Sequence, residues 1–242
     1  MQKFSPEHLL KFKHYFQVKE SVSDIEERLW FKVKKYVPPL AFIPWILFVW
    51  VGNSLSMNSC HKNSDIDLFI ITRPNRLWTV RILTTLYFTL LGQRKTARKH
   101  AGKFCLSFFV TEDSLDFSNF AIADDIYLYF WIVFLKPIVD KENTYEHFLE
   151  AQKSWADFTE YKNIFEENRQ YVNDWWKTQF LWKIEKSWKI WDTIETFLKK
   201  IFLPKTQKSF LKLGKPFGVI ITDDILKFHD RDRRKEISSY LL

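Results

Sequence analysis

Glycine is scarce in this chain, 5 in 242 residues, so each one has to answer to a turn or a close approach of backbone. Cysteine is scarcer, with 2 residues. Cys60 and Cys105 cannot build a disulfide framework and have no partners at zinc-ligand spacing, which predicts reduced thiols in a cytoplasmic protein. Long apolar runs are missing too. Residues 37–51 and 126–139 are apolar, but each falls short of the ~20 residues a membrane-spanning helix needs, and both are expected as buried elements. Residues 1–20 interrupt their apolar positions with His and Lys, so no secretory leader is expected. There are no internal repeats or low-complexity tracts.

Acid is in deficit: 37 Lys and Arg against 29 Asp and Glu give a net charge of +8. Such a balance suits an anionic partner, whether nucleotide, nucleic acid or membrane surface, although a Lys-rich composition also arises from nucleotide bias in a genome. What the chain has in quantity is hydrophobic material, 46% of residues, which excludes disorder and supplies a core. The length fits one medium domain or a small catalytic domain with a helical appendage.

Local patterns divide the chain. Ser23 and Glu26 form a capping box that opens a helix with Ile25, Leu29 and Val33 on one face, ending before Pro38-Pro39. Residues 43–51 are short, β-branched and aromatic and run into Gly52, a buried strand ending in a turn. A polar stretch follows, then a second strand over 65–71 closed by Pro74. Residues 78–91 read as a helix with Gly92 as its C-cap. The basic segment 93–103 leads to a third strand at 104–110 and an acidic turn at 111–114. A helix with Asp124 and Asp125 in its first turn follows, ending near Lys136-Pro137, and then another over 145–155. From about 175 to 202, Trp176, Phe180, Ile184, Trp188, Trp191, Ile194, Leu198 and Ile201 form one apolar stripe, stopped by Pro204. A short strand is predicted at 218–222. The expected units are a helical segment at 1–37, an α/β unit at 38–140 and a helical region with a basic tail at 141–242.

Two strands joined by a polar segment place Gly52-Asn53-Ser54 and Asp65/Asp67 at neighbouring strand ends. Alternation along a strand puts Asp65 and Asp67 on one face and Ile66 on the other. Like charges so close need a counterion, and two hard oxygen donors suit Mg²⁺ or Mn²⁺, which also coordinate substrate phosphates. Backbone N–H groups and the Ser54 hydroxyl at the turn can hold a triphosphate.

Gly52-x-Ser54, ten residues, then Asp65-Ile66-Asp67 resembles the signature of the DNA-polymerase-β-like nucleotidyltransferase superfamily. The stretches 51–55 and 63–70 are similar to small bacterial nucleotidyltransferase-domain proteins. The resemblance implies an α+β fold, a palm with a short mixed sheet and flanking helices, here followed by an all-helical C-terminal region. It implies metal-dependent attack on an NTP α-phosphate with release of pyrophosphate. It assigns Asp65 and Asp67 to metal and catalysis, and Gly52, Asn53, Ser54 and Ser64 to the nucleotide. Asn53 stands where a second glycine is often found. Polymerase-like members also carry a third carboxylate on the neighbouring strand. On 104–110 strict alternation puts Cys105, Ser107 and Phe109 on one face, with Ser107 in the nearest slot, and no acid. Either Glu112 or Asp113 folds back from the acidic turn, or the site works with two acids, or it binds nucleotide without turnover.

Other features have bland and functional readings. The basic run Arg94, Lys95, Arg98, Lys99 and Lys103 is a solvated loop or a contact for triphosphate or an RNA backbone. The Trp/Lys-rich helix is core-facing, with Trp182 on its polar side as a candidate contact. Residues 227–234, with His229, Arg231, Arg233 and Arg234, either form a salt-bridged terminal helix or return to the palm to supply a phosphate-binding Arg or a base. The acceptor, whether small molecule, protein or RNA, is not specified by any of these patterns.

Overall fold

The computed structural model describes residues 1–172, 188–230 and 232–242. Its centre is a six-stranded mixed sheet: β1 (Ile46–Gly52), β2 (Ile66–Thr72), β3 (Phe104–Thr111), β4 (Lys136–Asp140), β5 (Val219–Ile221) and β6 (Ile225–Phe228), in the order β4-β1-β2-β3-β6-β5. β2 and β3 run parallel, and the other neighbours run antiparallel. The described helices are α1 (Pro6–Tyr15), α2 (Asp24–Tyr36), α3 (Asn53–Ser56), α4 (Leu77–Leu90), α5 (Ile126–Phe134), α6 (Thr144–Gln152), α7 (Lys162–Asn168), α8 (Trp188–Lys212) and α9 (Arg234–Leu241). Among the described residues no helix is long and apolar enough to cross a membrane.

The sheet is covered on both faces, which is why residues 46–51 are apolar without alternation. On one face Val49, Val51, Ile66, Ile70 and Phe109 pack with Val33 of α2 and Trp78 and Phe88 of α4. On the other, Phe48, Trp50, Phe69 and Phe108 pack with α1, α5, α6 and α9. Trp50 stacks on Phe69 at 5.2 Å between ring centroids. The Ser23/Glu26 capping box forms at the start of α2, and Gly92 takes a left-handed φ of 63° after α4, both as the sequence predicts.

Three expectations are corrected. The helix at 126 stops at Phe134, and residues 136–140 become β4, paired with β1. Pro137 is accommodated because β4 lies at the sheet edge, where a missing N–H costs little. The C-terminal region is not all helical: β5, inside the predicted 218–222, pairs with β6, and β6 adds to the free edge of β3. Strands of three and four residues are too short for periodicity to reveal, and such a hairpin is stable only on an existing edge. Pro204 does not stop the long helix but lies inside α8. Burial of Leu198, Phe202 and Leu203 against the core offsets the lost hydrogen bond.

Trp176, Phe180, Trp182 and Ile184 lie outside the described residues. Where α8 is described it faces the core, as expected. Trp191 meets Trp45 at 4.5 Å. Glu195 accepts from the backbone N–H groups of Trp78 and Thr79 at 2.8 and 2.7 Å, capping α4 from 116 residues away in sequence.

Candidate functional site

β1 ends at Gly52, and Gly52 lies opposite Asp67 in the antiparallel ladder. On the other side of β2, Asp67 lies opposite Cys105 of β3. Donor atoms of Asp65, Asp67 and Cys105 all fall within 4.8 Å of one another. The turn and the carboxylates are therefore neighbours, as two strands joined by a polar loop predict.

Each residue of the turn has a local reason. A Cβ on Gly52 would sit 3.1 Å from Trp131 Nε1 and 3.3 Å from Leu135 Cδ2, so glycine lets α5 approach. Asn53 takes φ 55°, a conformation asparagine tolerates, and opens α3. Its Oδ1 accepts from Trp131 Nε1 at 2.9 Å and Tyr127 OH at 3.2 Å. That fixes the amide, which then faces Asp67 with its N–H. Ser54 Oγ accepts from the Cys60 thiol at 3.6 Å. The buried Ser64 hydroxyl accepts from His61 N at 3.0 Å and locks the 61–64 turn.

Charge is unbalanced here. Burial, and next the charge of Asp65, hold the Asp67 carboxyl above the usual carboxylate range, although Asn53 and Lys95 pull the other way. Burial and Asp67 push the Cys105 thiol up to about 12. Lys95, from the basic run, places Nζ 2.5 Å from Asp65 Oδ2 and 3.6 Å from Cys105 Sγ. The contact with Asp65 outweighs partial burial and raises the Lys95 pKa.

The third strand carries no acid at this end, and strict alternation fails on it. Cys105 lies opposite Asp67, but Phe108 rather than Ser107 lies opposite Phe69, so a bulge inserts one residue between them. Phe108 consequently shares a face with Phe69, and Cys105, not Ser107, occupies the slot nearest the pair. Glu112 and Asp113 do not fold back. They follow the far end of β3, where Glu112 pairs with Arg73 at 3.1 Å and Asp113 is exposed.

The described residues of 227–234 return to the sheet. β6 brings Lys227 opposite Phe108, and the His229 ring lies 6.3 Å from the Phe108 ring. Gly218 makes this approach feasible, because a Cβ there would lie 2.1 Å from the His229 carbonyl. Burial, then the Lys227 charge, lowers the His229 pKa to about 4, and its Nδ1 has no partner among the described residues. The described arginines are held in ion pairs. Buried Arg234 pairs with Asp125 at 2.7 Å and Asp232 at 2.9 Å, Arg233 pairs with Glu236, and Arg231 lies outside the described residues. The alternative reading of 227–234 as a salt-bridged helix is corrected: Lys227 and Phe228 lie in β6, and the terminal helix α9 begins only at Arg234.

These elements enclose a pocket of about 230 Å³ beside Asn53, walled by Phe108, Tyr127 and Trp131 and carrying His229 and Arg233. Tyr127 and Trp131 carry no sequence signal of a site, since they lie in a uniformly apolar helix. Family models, curated proteins and solved structures were compared with the chain, and none matches.

Proposed function

We propose that the chain is a nucleotidyltransferase that moves an NMP from an NTP to an acceptor hydroxyl and releases pyrophosphate. The observation that carries this reading is the convergence of Asp65 and Asp67 beside the Gly52-Asn53-Ser54 turn, whose Asn53 also lines a pocket. The donor set fits a divalent cation: two carboxylates lie within a few ångströms, and only one has a full counter-charge. Mg²⁺ or Mn²⁺ held by Asp65 and Asp67 would supply charge neutralisation at the α- and β-phosphates.

The chain's own residues do the rest. Asn53 orients Asp67, and the turn at 52–54 offers backbone and hydroxyl donors to phosphate oxygens. The acceptor sits in the aromatic pocket, where His229 is neutral at pH 7. It takes the proton as the acceptor oxygen bonds to the α-phosphorus and the bond to the β-phosphate oxygen breaks. A pKa near 4 makes a weak base, but a bound triphosphate raises it by opposite charge. The acceptor class stays open among small molecule, protein and RNA.

A second reading, NTP binding without turnover, is favoured by Cys105 in the third slot. Incubation with each labelled NTP and Mg²⁺ or Mn²⁺, with and without cell extract, separates the two. Label transfer lost in Asp65→Asn and Asp67→Asn supports the enzyme. Thermal stabilisation by NTP without transfer supports the binding module. Absence of any NTP or cation effect overturns both.

A further inference from the structure

Carboxylate pairs that serve phosphoryl transfer in two-metal sites hold ions about 3.5–4 Å apart, each needing its own oxygen donors. Here one of those donors is already engaged. Lys95 Nζ lies 2.5 Å from Asp65 Oδ2, about the distance at which a cation would coordinate that oxygen, and also faces Cys105 Sγ at 3.6 Å. The ammonium is not a loose surface charge. Lys95 N donates to the Phe104 carbonyl at 2.9 Å, and Phe104 N donates to the Gln93 carbonyl at 2.8 Å, so its backbone is tied to the first residue of β3. Position 105 follows at once and lies opposite Asp67. The side chain therefore projects into the cluster from a fixed base.

We propose that Lys95 takes the place of a second metal ion, so that the Asp65/Asp67 pair holds a single divalent cation. The proposal rests on the metal-dependent reading above. Its physical basis is local. An ammonium between Asp65 and Cys105 fills the space a second cation would need and repels it, while Asp67, set on the Asn53 side and without an ion pair among the described residues, stays open to the first. The three donor types agree with this division: a thiol and a lysine-paired carboxylate make a poor second site for a hard ion, and Asp67 remains for the first. Lys95 is thus a positioning residue, acting through Asp65.

The test is Mn²⁺ titration of the full chain, with free ion followed by electron paramagnetic resonance, in wild type, Lys95→Met and Lys95→Arg. Side-chain exposure of 41% at Lys95 lets the Met variant keep the fold, which circular dichroism checks. Wild type and Lys95→Arg are expected to bind one Mn²⁺. Lys95→Met is expected to bind two, or to bind the first roughly tenfold tighter as a like charge is removed. Two ions in wild type, or one ion at equal affinity in wild type and Lys95→Met, overturns the proposal and leaves the metal-dependent reading standing. No Mn²⁺ binding in any of the three proteins overturns that reading and this one with it.

Discussion

Acidic side chains gather at both ends of the β2–β3 pair, and the two ends treat them differently. At the start of the strands Asp65 and Asp67 share one cation, Lys95, and Asp67 is left costly to ionise. At the far end, about 20 Å along at the rise of a strand, Glu112 and Glu142 both pair with Arg73 in a partly exposed cluster. Both ends set two carboxylates against one cation, but at the far end each carboxylate touches the guanidinium, whereas at the near end Lys95 is paired with Asp65 alone among the described residues. The near end leaves Asp67 half-buried and costly to ionise, beside the turn whose Asn53 lines the pocket. The comparison separates carboxylates that share a guanidinium from a carboxylate with no ion pair among the described residues.

The largest effect is expected from the near end. Asp67→Asn should cost roughly 10³-fold in label transfer and abolish Mn²⁺ binding, whereas Glu112→Gln should leave both within about twofold. Equal losses from the two variants would erase the contrast. Next is the ion pair that anchors the C-terminal return. Arg234→Met strands buried Asp125 and leaves Asp232 only Lys227, and should cost about 3–5 kcal/mol in denaturant unfolding. A loss below ~1 kcal/mol would show that β6 and α9 hold their places without it.

Stability should move the opposite way at Asp67 from activity. At pH 7 Asp67→Asn removes a carboxylate that folding makes harder to ionise, and should stabilise the metal-free protein by about 1–3 kcal/mol. A fall in stability would mean that the charge is already compensated. His229 carries a smaller, pH-dependent effect. Its folded pKa is depressed to about 4, so its contribution is present above the ordinary histidine pKa and is lost as pH falls toward 4. Between pH 7 and 5 wild type should therefore lose about 1–2 kcal/mol more than His229→Gln, in parallel urea titrations. Asp67, with its raised pKa, opposes this trend over the acid part of that window, and the Gln variant removes only the histidine's share.

Much of the frame was legible along the chain because it is made of local signals. The capping box at Ser23, the glycine after α4 and the apolar runs 46–51 of β1 and 68–71 of β2 each express a short-range rule, and all three occur where expected. The juxtaposition of Gly52, Asp65 and Asp67 follows from one antiparallel connection, so spacing sufficed to foresee it. What failed was whatever depended on a partner distant in sequence. The slot beside Asp67 went to Cys105 and not Ser107 because a bulge shifted the β3 register. Lys95 looked like one member of a solvated basic loop until the bridge to Phe104 aimed it at Asp65.

The sequence by itself determined β1, β2 and β3, the cap of α2, the glycine after α4 and the carboxylate pair, since residue type, alternation and turn chemistry act within a few positions. Tertiary structure alone decided what stands around that pair: His229 and Lys227 on a strand that exists only because β3 offers an edge, Trp131 over Gly52, and a lysine between Asp65 and Cys105. Those placements are set by packing and charge between segments up to about a hundred or more residues apart, and no short-range pattern encodes them.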